Sequence, residues 1–87
     1  MHAIVIHANI TDLADAKQGL NDQVLPMMKR APGFLGAYFV AVDDTQGISV
    51  EVFETEDQAR SAAPPDGVEA PGVTMGSIQF GEVLASA

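Results

Sequence analysis

The chain has 87 residues, with twelve acidic against four basic residues for a net charge of −8, and no Cys. That length suits one domain, residues 1–87, with little buried surface to hold it, and the lack of Cys removes both disulfides and thiolate metal sites as supports. The charge argues against nucleic acid and against anionic membrane surfaces, both of which need clustered Lys and Arg.

The first twelve residues, MHAIVIHANITD, carry no basic region and no small-residue cleavage site, so no signal peptide is expected. The longest apolar runs fall far short of the roughly 20 residues that a membrane span needs. The expectation is a soluble, cytoplasmic protein without a membrane partner. His2 to Ile10 reads as a strand, with Ile4, Ile6, Ala8 and Ile10 on one parity and Ala3, Val5, His7 and Asn9 on the other. Thr11 or Asp12 can cap the helix that follows. Its apolar face recurs through Leu13, Ala16, Leu20, Val24, Met27 and Ala31. Pro26 falls inside this pattern and predicts a kink near Asp22 to Leu25, or a helix that stops there and restarts. Pro32 and Gly33 end it.

Phe34 to Asp43 reads as the second strand. Phe34, Tyr38, Val40 and Val42 alternate with Leu35, Ala37, Phe39 and Ala41, so it is apolar on both faces. Asp43 to Gly47 is turn chemistry, and Ile48 to Glu54 completes a hairpin. In that third strand Ile48, Val50 and Val52 oppose Ser49, Glu51 and Phe53. Thr55 and Gln58 match a capping box, opening a second helix of about two turns that Pro64 and Pro65 end. Pro64 to Gly72 reads as a loop. Val73 to Leu84 is the last strand, with Val73, Met75 and Val83 alternating with Ile78, Phe80 and Leu84, again apolar on both faces.

The order of elements, βαββαβ, fits a ferredoxin-like α+β fold: a four-stranded antiparallel sheet with both helices on one face. The second and fourth strands are then the edges, and both read as two-sidedly apolar. Such edges invite pairing unless they are covered. The expected cover is a second copy of the chain, two sheets packed face to face in a homodimer. The alternative cover is the loop Pro64 to Gly72.

Polar residues on the strands supply the candidate chemistry. His7 and Asn9 share one face of the first strand. If the third strand lies beside the first, Glu51 can approach His7, orient it and raise its basicity, which makes His7 and Glu51 candidate catalytic residues for proton transfer. His2 and His7 have opposite parity, so no metal site is expected. No nucleophile motif, phosphate loop or dinucleotide fingerprint is present.

The segment APGFLGAYFV, a polar turn and then VEVFETEDQARSA resembles the dimeric α+β barrel proteins, within them the antibiotic-biosynthesis-monooxygenase-like group. There a "PGF-G" leads into the second strand, and an aromatic followed by "E-S/T-x-x-x-A" leads into the second helix. Phe53, Glu54, Thr55 and Ala59 stand in the latter places. The resemblance implies a dimeric barrel, with Asn9, Tyr38 and Phe53 as candidate ligand contacts. Haem-degrading relatives use an Asn near the end of the first strand, a Trp on the second helix and a His on the iron. This chain has no Trp, small residues around Ala62 and no His beyond His7, so haem degradation is not expected and no cofactor is implied. Three readings stay open. One is a protein that binds a small apolar or aromatic molecule between sheet and helices, without established catalysis. Another is a cofactor-independent monooxygenase acting on quinol-like or polycyclic phenols. The third is a structural or accessory homodimer, which a filled interior would favour.

Overall fold

The computed structural model describes residues 1–64 and 69–87, Glu69 by its backbone alone. In chain order the elements are β1 (His2–Ile10), α1 (Leu13–Gly19), a π-helical segment (Leu20–Val24), α2 (Leu25–Met28), β2 (Phe34–Ala41), β3 (Gln46–Phe53), α3 (Glu56–Ala62), β4 (Glu69–Ala70) and β5 (Val73–Glu82). The sheet is antiparallel in the order β2-β3-β1-β5, with the two-residue β4 added beside β5. This α+β order is compatible with a ferredoxin-like fold.

Local chemistry sets most of the boundaries. Asp12 caps α1 by accepting the Asp15 N–H at 2.9 Å. The helical run then continues to Met28 without stopping, but it widens before Pro26: the Leu25 N–H bonds to the Leu20 carbonyl, five residues back. Pro26 has no N–H to donate, and its ring crowds the preceding turn. A π-helical turn relieves both problems while keeping the axis continuous. The hairpin turn is held by Asp43, whose Oδ1 accepts the N–H groups of Thr45 and Gln46, each at 2.8 Å. Those bonds, led by the one from the Thr45 N–H, hold the Asp43 carboxyl below its ordinary range. At α3 the Thr55 and Gln58 side chains each accept the other's backbone N–H at 3.2 Å, a complete capping box.

Two Pro-Gly turns join sheet to helices, and in each the Gly has positive φ, +77° at Gly33 and +71° at Gly72. The Gly33 carbonyl accepts the Glu54 N–H at 3.0 Å, which ties the end of the first helical run to the end of β3. The Gly72 carbonyl accepts the Thr11 N–H at 2.8 Å and the Asp12 N–H at 3.2 Å. A Cβ at Gly72 meets the Asp12 carbonyl oxygen and lies 2.6 Å from the Ala16 N. The described end of the Pro64 to Gly72 loop therefore pairs with β5 and packs under α1, on the helix side, and does not cover the other sheet face. Residues 65–68 of that expectation lie outside the described residues. Gly72→Ala combines left-handed strain with backbone overlap and is expected to cost about 2 kcal/mol in urea unfolding; an unchanged midpoint shows that the turn moves aside freely.

Two strands differ from their simple alternation because each register contains a β-bulge. Between Phe34 and Gly36 the β2–β3 register slips, so Phe34 pairs with Phe53 while Tyr38 pairs with Val50. Phe34 thus joins Ala37 and Phe39 on the helix side and meets Phe53 edge-on at 5.7 Å. The β1–β5 register slips between Ile6 and Ala8. That slip brings Val73, Met75, Ile78 and Phe80 onto one face, beside Ile10, Ala8, Ile6 and Ile4. The last strand is therefore apolar on one face along this stretch, not two. Among the strands, β2 remains two-sided.

The densest packing lies under α3, where Ile4, Ile6, Phe53 and Ala59 are buried against Phe34, Ile78 and Phe80. Arg60 stacks over the Phe80 ring at 4.5 Å from its centroid and bonds Glu56 Oε2 at 2.8 Å. The longer helical run packs on the sheet much less closely than α3 does. Among the described residues no helix is long and apolar enough to cross a membrane.

Candidate functional site

The looseness under the first helical run is a cleft of about 730 Å³. Its floor is the helix-side parity of the sheet: Ile6, Ala8 and Ile10 of β1, and Ala37, Phe39 and Ala41 of β2. Leu13, Leu20, Val24 and Met27 of the apolar helix stripe form its roof, and Ala62 and Pro64 close the end below α3. The stripe thus faces a void. Leu13 is still 46% exposed and Met27 66%. The small size of α3, seven residues with Ala at its inward positions, leaves this space unfilled.

One carboxyl sits in the wall. The register puts Glu51 in a row with Phe80, Ile4 and Ala37, and Ser49 in the row with Ile78, Ile6 and Phe39. Glu51 is 3% exposed. Ser49 Oγ donates to Glu51 Oε1 at 3.4 Å, a long bond, and Oε2 is buried with no hydrogen-bond partner. Burial pushes the Glu51 carboxyl up from 4.5 to about 7, and the Ser49 hydroxyl offsets only part of that. Loss of hydration disfavours the carboxylate because nothing positively charged replaces the water. Among the described residues, Lys17 is the one basic residue bordering the cleft.

The inward placement of Ser49 and Glu51 follows from the end of their strand. Phe53 shares their parity, and the chain turns directly from it into the capping box and α3, whose Ala59 packs on Phe53. Burying Phe53 therefore turns Ser49 and Glu51 inward as well, and sends Ile48, Val50 and Val52 to the opposite face.

The candidates chosen from sequence separate accordingly. His7 pairs with Ile48 on the side away from the helices and Glu51 pairs with Ile4 on the helix side, so His7 and Glu51 cannot form the proton-transfer pair. Asn9 shares the face of His7, and both are exposed and border no part of the cleft. Tyr38 borders the cleft at its β2 rim, but it pairs with Val50 and is 78% exposed. Phe53 is fully buried in the core and lines no part of the cleft. Only Glu51 combines burial with a place in the cleft wall. Asn21 and Gln23, on the roof, were not singled out from sequence; their polar identity in an otherwise apolar helix stripe is the signal that could have found them. His2 Nε2 lies 3.8 Å from Glu56 Oε1 at the other end of the sheet, and among the described residues no three His, Asp or Glu converge to hold a metal.

Comparison with family models, with curated proteins and with solved structures returns no match, so what the cleft can hold follows from its own residues.

Proposed function

We propose that this protein binds a small, largely apolar or aromatic molecule in the cleft between sheet and helices, as a homodimer of the dimeric α+β barrel type. The observation that carries the binding reading is the cleft itself: about 730 Å³, walled by aliphatic and aromatic side chains, with one buried carboxyl to orient a ligand. Ligand sites commonly fall between about 300 and 1,000 Å³ and have this composition. An accessory homodimer with a filled interior is disfavoured by the same void.

Surface area supports the dimer. A folded monomer of this mass is expected to expose about 4,900 Å². The chain exposes 5641 Å². On the uncovered face Tyr38 and Val40 of β2 stand beside Val50 and Ile48 of β3, with Val52 next along β3, an apolar patch on an unprotected edge.

Titration with 1-naphthol, followed by ligand-observed NMR, tests the binding reading; absence of saturable binding rejects it. Ala37 lies beside Glu51 in the cleft floor. Ala37→Phe should fill the space and weaken naphthol binding at least about tenfold while leaving the unfolding free energy within about 1 kcal/mol of the wild type.

A second reading, a cofactor-independent monooxygenase of quinol-like or polycyclic phenols, draws on one further observation. A carboxyl held at about 7 in a water-poor wall suits a general base for a phenolic proton at neutral pH. Oxygen consumption with a panel of such phenols, lost in Glu51→Gln, supports this enzyme; no consumption with any of them leaves the binder.

A further inference from the structure

We infer that the cleft selects a hydrophobic amine, whose ammonium group pairs with the Glu51 carboxylate while its apolar body fills the space beneath the first helical run. This rests on the binding reading above and names the head group that the wall recognises.

Among the described residues the wall offers one buried, strong polar partner and it is an acceptor. Glu51 Oε2 is buried and unpartnered, and Oε1 has only the long Ser49 bond. In its own row Glu51 stands with Ile4, Phe80 and Ala37, and the next row, that of Ser49, holds Ile6, Ile78 and Phe39. None of these six side chains can donate a hydrogen bond or carry charge; the row on the Phe53 side holds His2 and Glu82, and His2 Nε2 lies 3.8 Å from Glu56 Oε1. From α3 Ala62 borders the cleft, while Arg60 lies over the Phe80 ring and is paired with Glu56; from the helical run the charged residue bordering the cleft is Lys17. The field at the carboxyl is therefore set by burial and Ser49, with no cation among its causes. The chain as a whole carries −8.

Ion pairs in protein interiors often fail to repay their desolvation. Here folding has already desolvated the carboxylate, so an incoming ammonium meets an acceptor that needs no further dehydration. The ammonium can keep part of its own hydration, because the cleft is open along Leu13 and Met27. The pair returns Glu51 toward its ordinary acidity, so amine binding strengthens as the carboxyl ionises. A ligand carboxylate meets the opposite situation and is repelled. A neutral alcohol can donate one uncharged hydrogen bond and falls between the two, since charge-assisted bonds are about twice as strong as neutral ones.

Three probes with the same ring system separate these cases: 1-naphthylmethylamine, 1-naphthalenemethanol and 1-naphthoate, titrated calorimetrically into the wild-type chain. At about pH 8 the amine should bind at least about tenfold more tightly than the alcohol, and the naphthoate more weakly than both. Between about pH 8 and about pH 5.5 the amine should lose about tenfold or more in affinity, as the carboxyl gains its proton, while the alcohol changes little. Glu51→Gln should bring the amine down to the level of the alcohol and remove the pH dependence. Equal affinity for all three, or preference for the naphthoate through Lys17, overturns the amine assignment and leaves the binding cleft standing. No binding of any of the three overturns both.

Discussion

Glu51→Gln is expected to make the protein more stable at neutral and alkaline pH, by about 3 kcal/mol, and to flatten its dependence on pH. Glu51 is raised from 4.5 to about 7 by burial. In the unfolded chain the carboxyl loses its proton near 4.5; in the folded chain it keeps the proton until about 7. Between those values the native state binds more protons than the unfolded state, so stability falls as pH rises. Each pH unit across that window costs about 1.4 kcal/mol, which sums to about 3 kcal/mol above it. The effect is a large share of the 5–15 kcal/mol or so that holds a typical domain together. The amide keeps the shape and can still accept from Ser49, yet carries no charge to desolvate. Below about pH 4.5 both proteins have a neutral side chain, and the variant should show no advantage. Urea unfolding of the two proteins at about pH 5 and about pH 8 measures the difference, and other titrating groups cancel in it. Equal slopes, or a variant less stable at about pH 8, would mean that the ionised carboxylate has a partner.

If the proposed homodimer forms, Val50→Lys is expected to dissociate it. Val50 stands between Val5 and Tyr38 on the sheet face away from the helices, in the middle of the apolar patch. A Lys there must either bury its ammonium without a counter-charge or hold the two sheets apart. Removal of that interface is expected to weaken association at least about 1,000-fold, equivalent to about 4 kcal/mol. Sedimentation equilibrium at low micromolar concentration reads it directly. The wild-type chain should run as a dimer and the variant as a monomer or an unfolded chain. A wild-type chain that stays folded as a monomer on dilution rejects the proposed assembly, whatever the variant does.

The open cleft and the proposed dimer bear on the same shortage. A chain of this size has one small core, and here that core sits under α3 at one end of the sheet. The first helical run spends its apolar stripe on the roof of a void instead of on packing. Stability lost there is available from outside the chain, from a ligand in the cleft or from a second copy on the open face.

Much of this architecture follows from short-range rules that are visible in order along the chain. The Thr55 and Gln58 pair, the Asp43 turn, the Pro32–Gly33 helix stop and the disturbance ahead of Pro26 each arise from groups within a few residues of one another. Their hydrogen bonds form much the same way in any surroundings, so they are legible from the residues alone. The element order follows from them, and with it the sheet order that puts β1 beside β3.

The direction that each strand turns is a different kind of fact. Ser49 and Glu51 alternate with Ile48, Val50 and Val52, and alternation alone leaves open which set turns inward; the fold turns Ser49 and Glu51 inward. Phe53 and Ala59 lock the end of β3 under α3, and strict alternation then carries Glu51 inward and separates it from His7. Two extra residues in the registers, near Phe34 and near Gly76, move Phe34 to the helix side and gather the apolar residues of β5 onto one face. A bulge is set by which strand lies alongside and by how the sheet must bend to meet it, and pairing between distant strands leaves little trace in local sequence. Local chemistry along the chain therefore decides where the elements lie; the packing of distant elements alone decides that, among the described residues, the buried charge is Glu51 and that it stands in the wall of a cleft.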